Sequence, residues 1–211
     1  MISGLVRGQL DTASIERVTH FHSGAGGVVF SGLPMHKEDY AADVQQIMDE
    51  AIEKHGLEEW RLVVITSELH GHLGIYSIIG AKMGLYAREL LVRDLDGINI
   101  QSHAGLNPPV SCLNDGLQAS TGATLGHGLI QAGETSTPVA SARFIKGDTI
   151  LELSLKQERA NEIQRMIREA LQSSGGLNDE YWLQVRIHAL NIWARYDRKQ
   201  IFEQRFLVNK E

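Results

Sequence analysis

The stretch Glu68-Leu69-His70-Gly71-His72-Leu73 organises the rest of the sequence. A β-branched run precedes it and an amphipathic segment follows it, so the pattern places it at a strand-to-helix junction. Two imidazoles at positions i and i+2 point to the same side of an extended backbone, and neutral imidazole is the commonest metal ligand in proteins. The pair is therefore a candidate metal site. Spacing alone favours the alternative, in which one histidine caps the helix and the other is solvated, because two ligands are fewer than a stable site needs.

The segments that flank this stretch have clear periodicities. Lys37 to His55 has apolar residues at the three-four spacing, which predicts a helix. Arg61 to Thr66 is rich in β-branched residues, which predicts a buried strand. Leu73 to Val92 has the helical spacing again. Within it, Gly80 and Gly84 each lower helix propensity by about 1 kcal/mol relative to Ala. Their spacing of four leaves two bare patches on one face, which is consistent with another backbone packed closely there. Ordinary core packing of that face is the preferred explanation.

The middle of the chain predicts one short helix among strands. Gly97 to His103 alternates apolar and polar residues, as a half-buried strand does. A rigid Asn107-Pro108-Pro109 break precedes a short helix that ends at Thr121 and that Asn114 or Asp115 can cap. A glycine-rich loop then leads into three further strands, of which the last two form a hairpin. These strands are Leu129 to Gln131, Val139 to Ile145, and Thr149 to Leu155.

Residues 156–211 differ in character from the rest. A charged amphipathic helix from Glu158 to Gln172 is followed by a break and by a last helix that Asp179 can cap. The last helix carries an apolar stripe that is too long to leave in water, and Ile201 to Val208 returns as a strand. We therefore predict a domain over residues 1–155 and a helical C-terminal appendage over residues 156–211, which packs on the sheet or on a partner subunit.

Composition restricts the class of protein. With 211 residues, of which 43% are hydrophobic and 22% charged, the chain has the composition of a soluble globular domain. The net charge of −6 argues against nucleic-acid and anionic-membrane partners. No apolar run is long enough to span a bilayer, and Met1 to Arg7 lacks an apolar signal core, so we expect a cytoplasmic protein. Cys112 is the single cysteine, which excludes a disulfide framework within the chain. The sequence contains nine histidines.

A second His-x-His pair lies near the N-terminus. His20 and His22 precede a glycine-rich run that is interpreted as a turn, because no Lys-Ser/Thr pair follows it. A strand from Val28 to Phe30 is predicted after the turn. Whether this pair joins a site with the first one stays open.

Two motifs together resemble a known family. The segment His70-Gly71-His72-Leu73, the glycine-interrupted helix, Cys112-x-x-Asp115-Gly116 and the stretch from Thr121 to Gly126 have the order and spacing of the E-subunit domain family of formylmethanofuran dehydrogenase. The resemblance covers about residues 60–155. It implies an α+β fold with a helix-strand-helix-three-strand core and a mixed sheet, and it implies a homodimer.

The resemblance also implies a bound metal. The ligands carried over are His70, His72 and Cys112, and the metal is zinc or another divalent transition metal, with nickel and iron as alternatives. Two imidazoles and one thiolate leave a fourth position open, as in catalytic zinc sites. The cysteine would bind as its thiolate.

The chain departs from the family pattern in three places. Gly74 and Ile75 stand where members commonly carry Cys-Pro, and a cysteine-rich C-terminal zinc finger is impossible with one cysteine. His127 stands where a lysine is frequent. It is a candidate fourth ligand or proton carrier, and a loop histidine in solvent is the alternative.

Three functions are compatible with these residues. The first is a metal-binding accessory protein for molybdenum or tungsten redox enzymes, with such an enzyme as a partner. The second is an enzyme in its own right, in which a metal-bound water reacts and Glu68 or His127 moves protons. Glu68 is equally explained as an exposed strand-end carboxylate. The third is a non-metal ligand-binding or structural dimer.

Overall fold

The computed structural model describes residues 33–91 and 97–208, and its helices and strands all belong to one unit, Pro34–Glu211. The predicted strand Val28 to Phe30 and the pair His20 and His22 lie outside the described residues. One turn of 3-10 helix, Lys37–Asp39, precedes the first α-helix, and a second such turn, Val110–Cys112, precedes the fourth. The helices are α1 (Ala42–His55), α2 (Leu57–His70), α3 (Ile75–Leu90), α4 (Leu113–Thr121), α5 (Gln157–Ser174), α6 (Asp179–Arg195) and α7 (Arg198–Ile201). The strands are β1 (Asn99–Ser102), β2 (Ile130–Ala132), β3 (Ser141–Lys146), β4 (Thr149–Leu155) and β5 (Phe202–Val208).

The strands form one mixed sheet in the order β2-β1-β3-β4-β5. Strands β1 and β2 are parallel, because α4 carries the chain back between them, and the other neighbours are antiparallel. The hairpin between β3 and β4 turns at Gly147, whose φ of 55° favours glycine. The predicted α+β class with a mixed sheet is confirmed.

One predicted strand is wrong. The run Arg61 to Thr66 lies inside α2, so the His-Gly-His motif joins two helices and does not follow a strand. A short apolar run has no periodicity that separates a strand from a buried helix. Here burial decides the outcome, because Trp60, Val63 and Thr66 are all buried in the helical layer. The β propensity of such residues reflects how they pack, and packing against helices overrides it.

Two predicted helix caps also differ from those in the structure. Helix α4 begins at Leu113 with Cys112 as its N-cap residue, and no side chain caps it, so Asn114 and Asp115 lie within its first turn. Helix α6 is capped by Asn178, whose side chain accepts a hydrogen bond from the Tyr181 backbone N–H at 3.0 Å. Both predictions missed the cap by one to three residues, the usual uncertainty of helix ends inferred from sequence.

Helices α3 and α4 pack through glycines. A Cβ atom on Gly80 would lie 2.2 Å from the Leu113 carbonyl oxygen, and one on Gly84 would lie 1.9 Å from Ser120 Oγ. A Cβ atom on Gly116 would lie 2.1 Å from the Ser77 carbonyl oxygen. A second backbone therefore approaches α3 closely at the glycine face, and α4 is that backbone.

The C-terminal segment completes the same core. Helix α6 packs on α1 and α3, and the Trp193 ring stacks on that of Trp60 with centroids 4.3 Å apart. Strand β5 pairs with β4 along its whole length. The division of the chain at residue 155 stays a prediction, which truncation can test.

A buried ion pair joins this segment to the central helices. Lys82 on α3 has no solvent exposure and binds Glu59 on α2, which is equally buried. The Lys82 ammonium also donates to the carbonyl oxygens of Trp193 and Tyr196, at 3.1 and 2.9 Å. Arg198 Nη1 donates to Glu59 Oε2 at 2.9 Å. Burial lowers the pKa of Lys82, and removing one partner of such a pair typically costs about 3–5 kcal/mol.

The first prediction concerns the glycine contact. Gly116→Ala would gain about 1 kcal/mol of helix propensity, but its Cβ would overlap backbone atoms of α3, including the Ala81 nitrogen at 2.3 Å. Overpacking against backbone outweighs the gain, so we expect the free energy of unfolding to fall by about 2 kcal/mol, measured by urea denaturation. Gly133→Ala is the control, because its Cβ would meet nothing within 4 Å. Equal stability of the two variants would contradict close packing here.

The second prediction concerns residues 156–211. A chain that ends at residue 155 loses both backbone acceptors of Lys82 and the Arg198 partner of Glu59, and it uncovers Trp60. We expect it to aggregate or to change oligomeric state in light scattering, whereas a chain that ends at residue 208 should match the full chain. A monodisperse fragment 1–155 with an unchanged melting temperature would show that the segment is dispensable.

Candidate metal centre

The two histidines of the first motif lie in the link between α2 and α3. His70 is the last residue of α2, and Gly71, with a φ of 80°, ends that helix in the left-handed conformation. The chain therefore turns sharply, and the rings of His70 and His72 come to lie 4.3 Å apart between centroids. The sequence predicted same-side imidazoles on an extended backbone. The structure brings the rings together through a helix-ending turn.

Asp115 on α4 holds the His70 ring. His70 Nδ1 lies 2.7 Å from Asp115 Oδ2, and the His70 side chain is only 9% exposed. An ionised carboxylate can only accept a hydrogen bond, so Nδ1 carries the proton. The other nitrogen, Nε2, is buried and has no hydrogen-bond partner among the described residues. In the neutral ring Nε2 therefore presents a lone pair. A carboxylate on the opposite nitrogen is the usual support of a metal-bound histidine.

Gly74 keeps the space beside this lone pair open. A Cβ atom at position 74 would lie 2.9 Å from both Nε2 and Cδ2 of His70 and 2.8 Å from Ser77 Oγ. Any larger residue would therefore press on the ring nitrogen that has no partner. An orphaned imidazole nitrogen next to a position that a side chain would fill is consistent with a bound ion.

Cys112 lies at the start of α4, one helical turn before Asp115. Its side chain is half-buried, and burial together with the Asp115 carboxylate raises the pKa of the thiol. The cysteine also lies near Tyr181 on α6, whose pKa is raised by burial and by the negative charge of Cys112 when that thiol is ionised. Within residues 33–91 and 97–208, no group of three or more His, Cys, Asp or Glu side chains is arranged to hold a metal ion. The ligand set of His70, His72 and Cys112 thus stays a prediction.

The two predicted proton carriers lie on exposed segments. Glu68 is exposed on the last turn of α2. His127 is also exposed, and its Nδ1 donates to the Gly122 carbonyl oxygen at 3.2 Å. Its backbone N–H bonds to Thr124 Oγ1, so the described hydrogen bonds of His127 stay within its own loop. The roles of both residues stay predictions.

A cleft of about 480 Å³ lies beside His72. Trp182 on α6, 46% exposed, contacts the His72 ring edge-on at 5.1 Å between centroids. Arg186 on the same helix is bound to Asp43 by hydrogen bonds of 2.6 and 2.8 Å. Of the two tryptophans on α6, only Trp193 is buried. The cleft is lined by His72, Leu73, Asp179, Trp182, Leu183 and Arg186.

Two histidines are kept neutral by their surroundings. Burial, and then the nearby His70, lower the pKa of His72. Burial and the Lys82 charge lower the pKa of His55, whose Nε2 donates to the Ala194 carbonyl oxygen at 3.0 Å. An unfolded histidine titrates near about 6.5. At pH values between this one and the lower pKa values of the folded protein, the unfolded chain binds more protons than the folded chain does. The free energy of unfolding therefore falls as the pH falls.

The third prediction follows from this difference in proton binding. Between pH 7 and about 5.5, the free energy of unfolding should fall, because unfolded histidines protonate near pH 6.5. His55→Gln should reduce the slope, since a glutamine amide can still donate to the Ala194 carbonyl but does not titrate. The measurement is urea denaturation of both proteins across the pH series. Parallel curves for the two would show that His55 is not the cause.

The fold and the two motifs define a class of α+β proteins with a His-Gly-His turn packed against a Cys-x-x-Asp helix. A family model described as FmdE, Molybdenum formylmethanofuran dehydrogenase operon, matches residues 69–200. The chain belongs to the FmdE family.

Three chains of solved structures match this chain, and one FmdE-like protein is among them. That match is the crystal structure of a tungsten formylmethanofuran dehydrogenase E-subunit (FmdE)-like protein from Syntrophus aciditrophicus, at 14% identity and a TM-score of 0.44. The match covers 85% of this chain and 78% of that one. None of the curated proteins compared with the chain matches it. Among the described residues, no helix has the length and apolarity needed to cross a membrane.

Proposed function

We propose that this FmdE-family protein binds a transition-metal ion through His70, His72 and Cys112, and that it serves as an accessory protein to a molybdenum or tungsten redox enzyme. The observation that carries the proposal is the His70 ring. Its Nδ1 is held by Asp115, and its Nε2 is buried without a hydrogen-bond partner among the described residues. An unpaired polar atom in the interior is costly unless a ligand satisfies it.

The donor set favours zinc, with nickel and iron as alternatives. Imidazole and thiolate are the ligands that these ions prefer over carboxylate oxygen. Because burial and Asp115 keep the Cys112 thiol protonated, binding as thiolate would release a proton, so the affinity for metal should rise with pH. Bound there, the ion would supply Lewis acidity at an open coordination position. His70 and His72 would supply the neutral nitrogen ligands, and Asp115 would fix the tautomer of His70.

Membership of the family supports the proposed partner. The family's description links it to a formylmethanofuran dehydrogenase operon, which supports a redox enzyme as the physiological partner. A homodimer in the cytoplasm is the proposed form of the protein, and zinc or a related divalent metal is its proposed cofactor.

The fourth prediction tests metal binding. Untagged protein should contain close to one metal ion per chain by elemental analysis, and the apoprotein should bind zinc in calorimetry. His70→Ala, His72→Ala and Cys112→Ser should each abolish stoichiometric binding. Asp115→Ala should weaken the affinity for zinc by about 10–100-fold, because it removes only the support of a ligand.

His188→Ala is the matched control for this series, because His188 lies on α6 and does not line the cleft. It should leave metal content unchanged. The proposal fails if purified wild-type protein holds no metal and its apoprotein takes up none. It also fails if the three ligand variants bind zinc as tightly as the control does.

A second function is favoured by the cleft beside His72. Its volume of about 480 Å³ is in the range of small-molecule sites, so the protein could instead be an enzyme that acts on a substrate bound over the metal, with His127 or Glu68 moving protons. His127→Ala would then keep its metal and lose turnover, whereas a loss of metal would make His127 a ligand. Protein without metal but with ligand bound in the cleft would support the third function, a non-metal binding or structural dimer.

A further inference from the structure

Strand β5 has one open edge. It pairs with β4 on one side, and no strand described by the structure pairs with its other side. The strand spans seven residues, and Phe206 within it is 54% exposed. An exposed edge strand offers unpaired backbone groups to another chain, and proteins usually shorten, bend or cover such an edge.

A row of alternating charges runs across the sheet to this edge. Arg143 on β3 is opposite Glu152 on β4, and its Nε donates to Glu152 Oε2 at 2.7 Å. Glu152 is in turn opposite Arg205 on β5. The three residues therefore lie side by side on one face as positive, negative and positive charges. A fourth strand residue next to Arg205 would continue the row if it were negative.

A second copy of β5 supplies that negative charge in one register. Two identical antiparallel strands related by a two-fold axis must be centred on a residue that lies opposite itself. If the strand pair is centred on Gln204, Glu203 of each copy lies opposite Arg205 of the other. If the strand pair is centred on Glu203 or on Arg205, that residue lies opposite the same residue of the other copy. Two like charges then face each other, which is destabilising.

The same register also matches the apolar residues. It places Phe206 of one copy opposite Phe202 of the other, twice in the dimer. Cross-strand aromatic pairs are among the stabilising neighbours in antiparallel sheets. Phe202 is 4% exposed and already stacks on Tyr86 of its own chain, so Phe206, at 54% exposure, is the side chain of this pair that the partner strand would cover.

We propose that two copies of this chain pair through β5, antiparallel and centred on Gln204, so that two five-stranded sheets join into one continuous sheet. The interface lies outside residues 69–200, which match the family, and it does not rest on metal binding. It rests on the homodimer proposed above and assigns a surface to it, with Glu203, Arg205 and Phe206 as the residues that specify the contact.

Charge reversal on the full-length chain tests the proposal. Wild-type protein should be dimeric in sedimentation velocity. Glu203→Arg and Arg205→Glu should each raise the dissociation constant of the dimer by at least about tenfold, because each change turns two attractive pairs into two repulsive ones. The double variant Glu203→Arg, Arg205→Glu should recover the wild-type constant within about threefold.

Mixing the two single variants separates contact between copies from effects within one chain. Arg205 also faces Glu152 of its own sheet, so Arg205→Glu could weaken the monomer itself. In the mixture, the Glu203→Arg copy presents two arginines to the two glutamates of the Arg205→Glu copy. A heterodimer should therefore form from the same two variant chains that associate weakly on their own. Glu169→Arg, an exposed change on α5 with the same charge difference, is the control and should dimerise like wild type.

Circular dichroism must show that each variant is folded before its association is compared. A wild-type chain that is monomeric would overturn the proposal. So would a dimer that neither single variant weakens, because its interface would then lie elsewhere. Folded single variants that fail to associate when mixed would also overturn it.

Discussion

The close approach of α3 and α4 is the contact on which the candidate site depends. Gly80 and Gly84 on one helix and Gly116 on the other remove the side chains that would hold the two backbones apart. This approach places the first turn of α4 against the end of α2. Asp115 can therefore reach His70, although 45 residues separate them in the sequence. The two motifs that the sequence shares with the FmdE family thus become one site through helix packing.

The buried pair of Lys82 and Glu59 has a different role. It fixes the position of the C-terminal segment, because Lys82 also donates to two backbone carbonyls at the end of α6. Burying two charges costs free energy that apolar residues would not cost. We therefore expect the pair to specify one arrangement more than it adds stability. That arrangement places Trp182 of α6 beside His72, where the cleft forms.

Much of the fold could be predicted because its signals are local. The alternation from Gly97 to His103 predicted the strand there, and the two adjacent strand patterns, Val139 to Ile145 and Thr149 to Leu155, predicted the hairpin. The run Arg61 to Thr66 could not be placed, because four to six apolar residues fit a buried helix as well as a strand. Asp115 was predicted to cap a helix for the same local reason. Its hydrogen bond to His70 depends on a tertiary contact. The pairing of Lys82 with Glu59, 23 residues away in the sequence, depends on a tertiary contact as well.

The state of the His70 ring tests the account most directly. A long-range nitrogen–proton NMR correlation spectrum of the metal-free, full-length protein identifies which ring nitrogen of His70 carries the proton. For the neutral form of the ring, the structure predicts the proton on Nδ1, held by Asp115, and a lone pair on Nε2, and Asp115→Ala should abolish that preference. A proton on Nε2 in the wild-type protein would contradict the account, because the nitrogen proposed to bind the metal would then not be available to bind it.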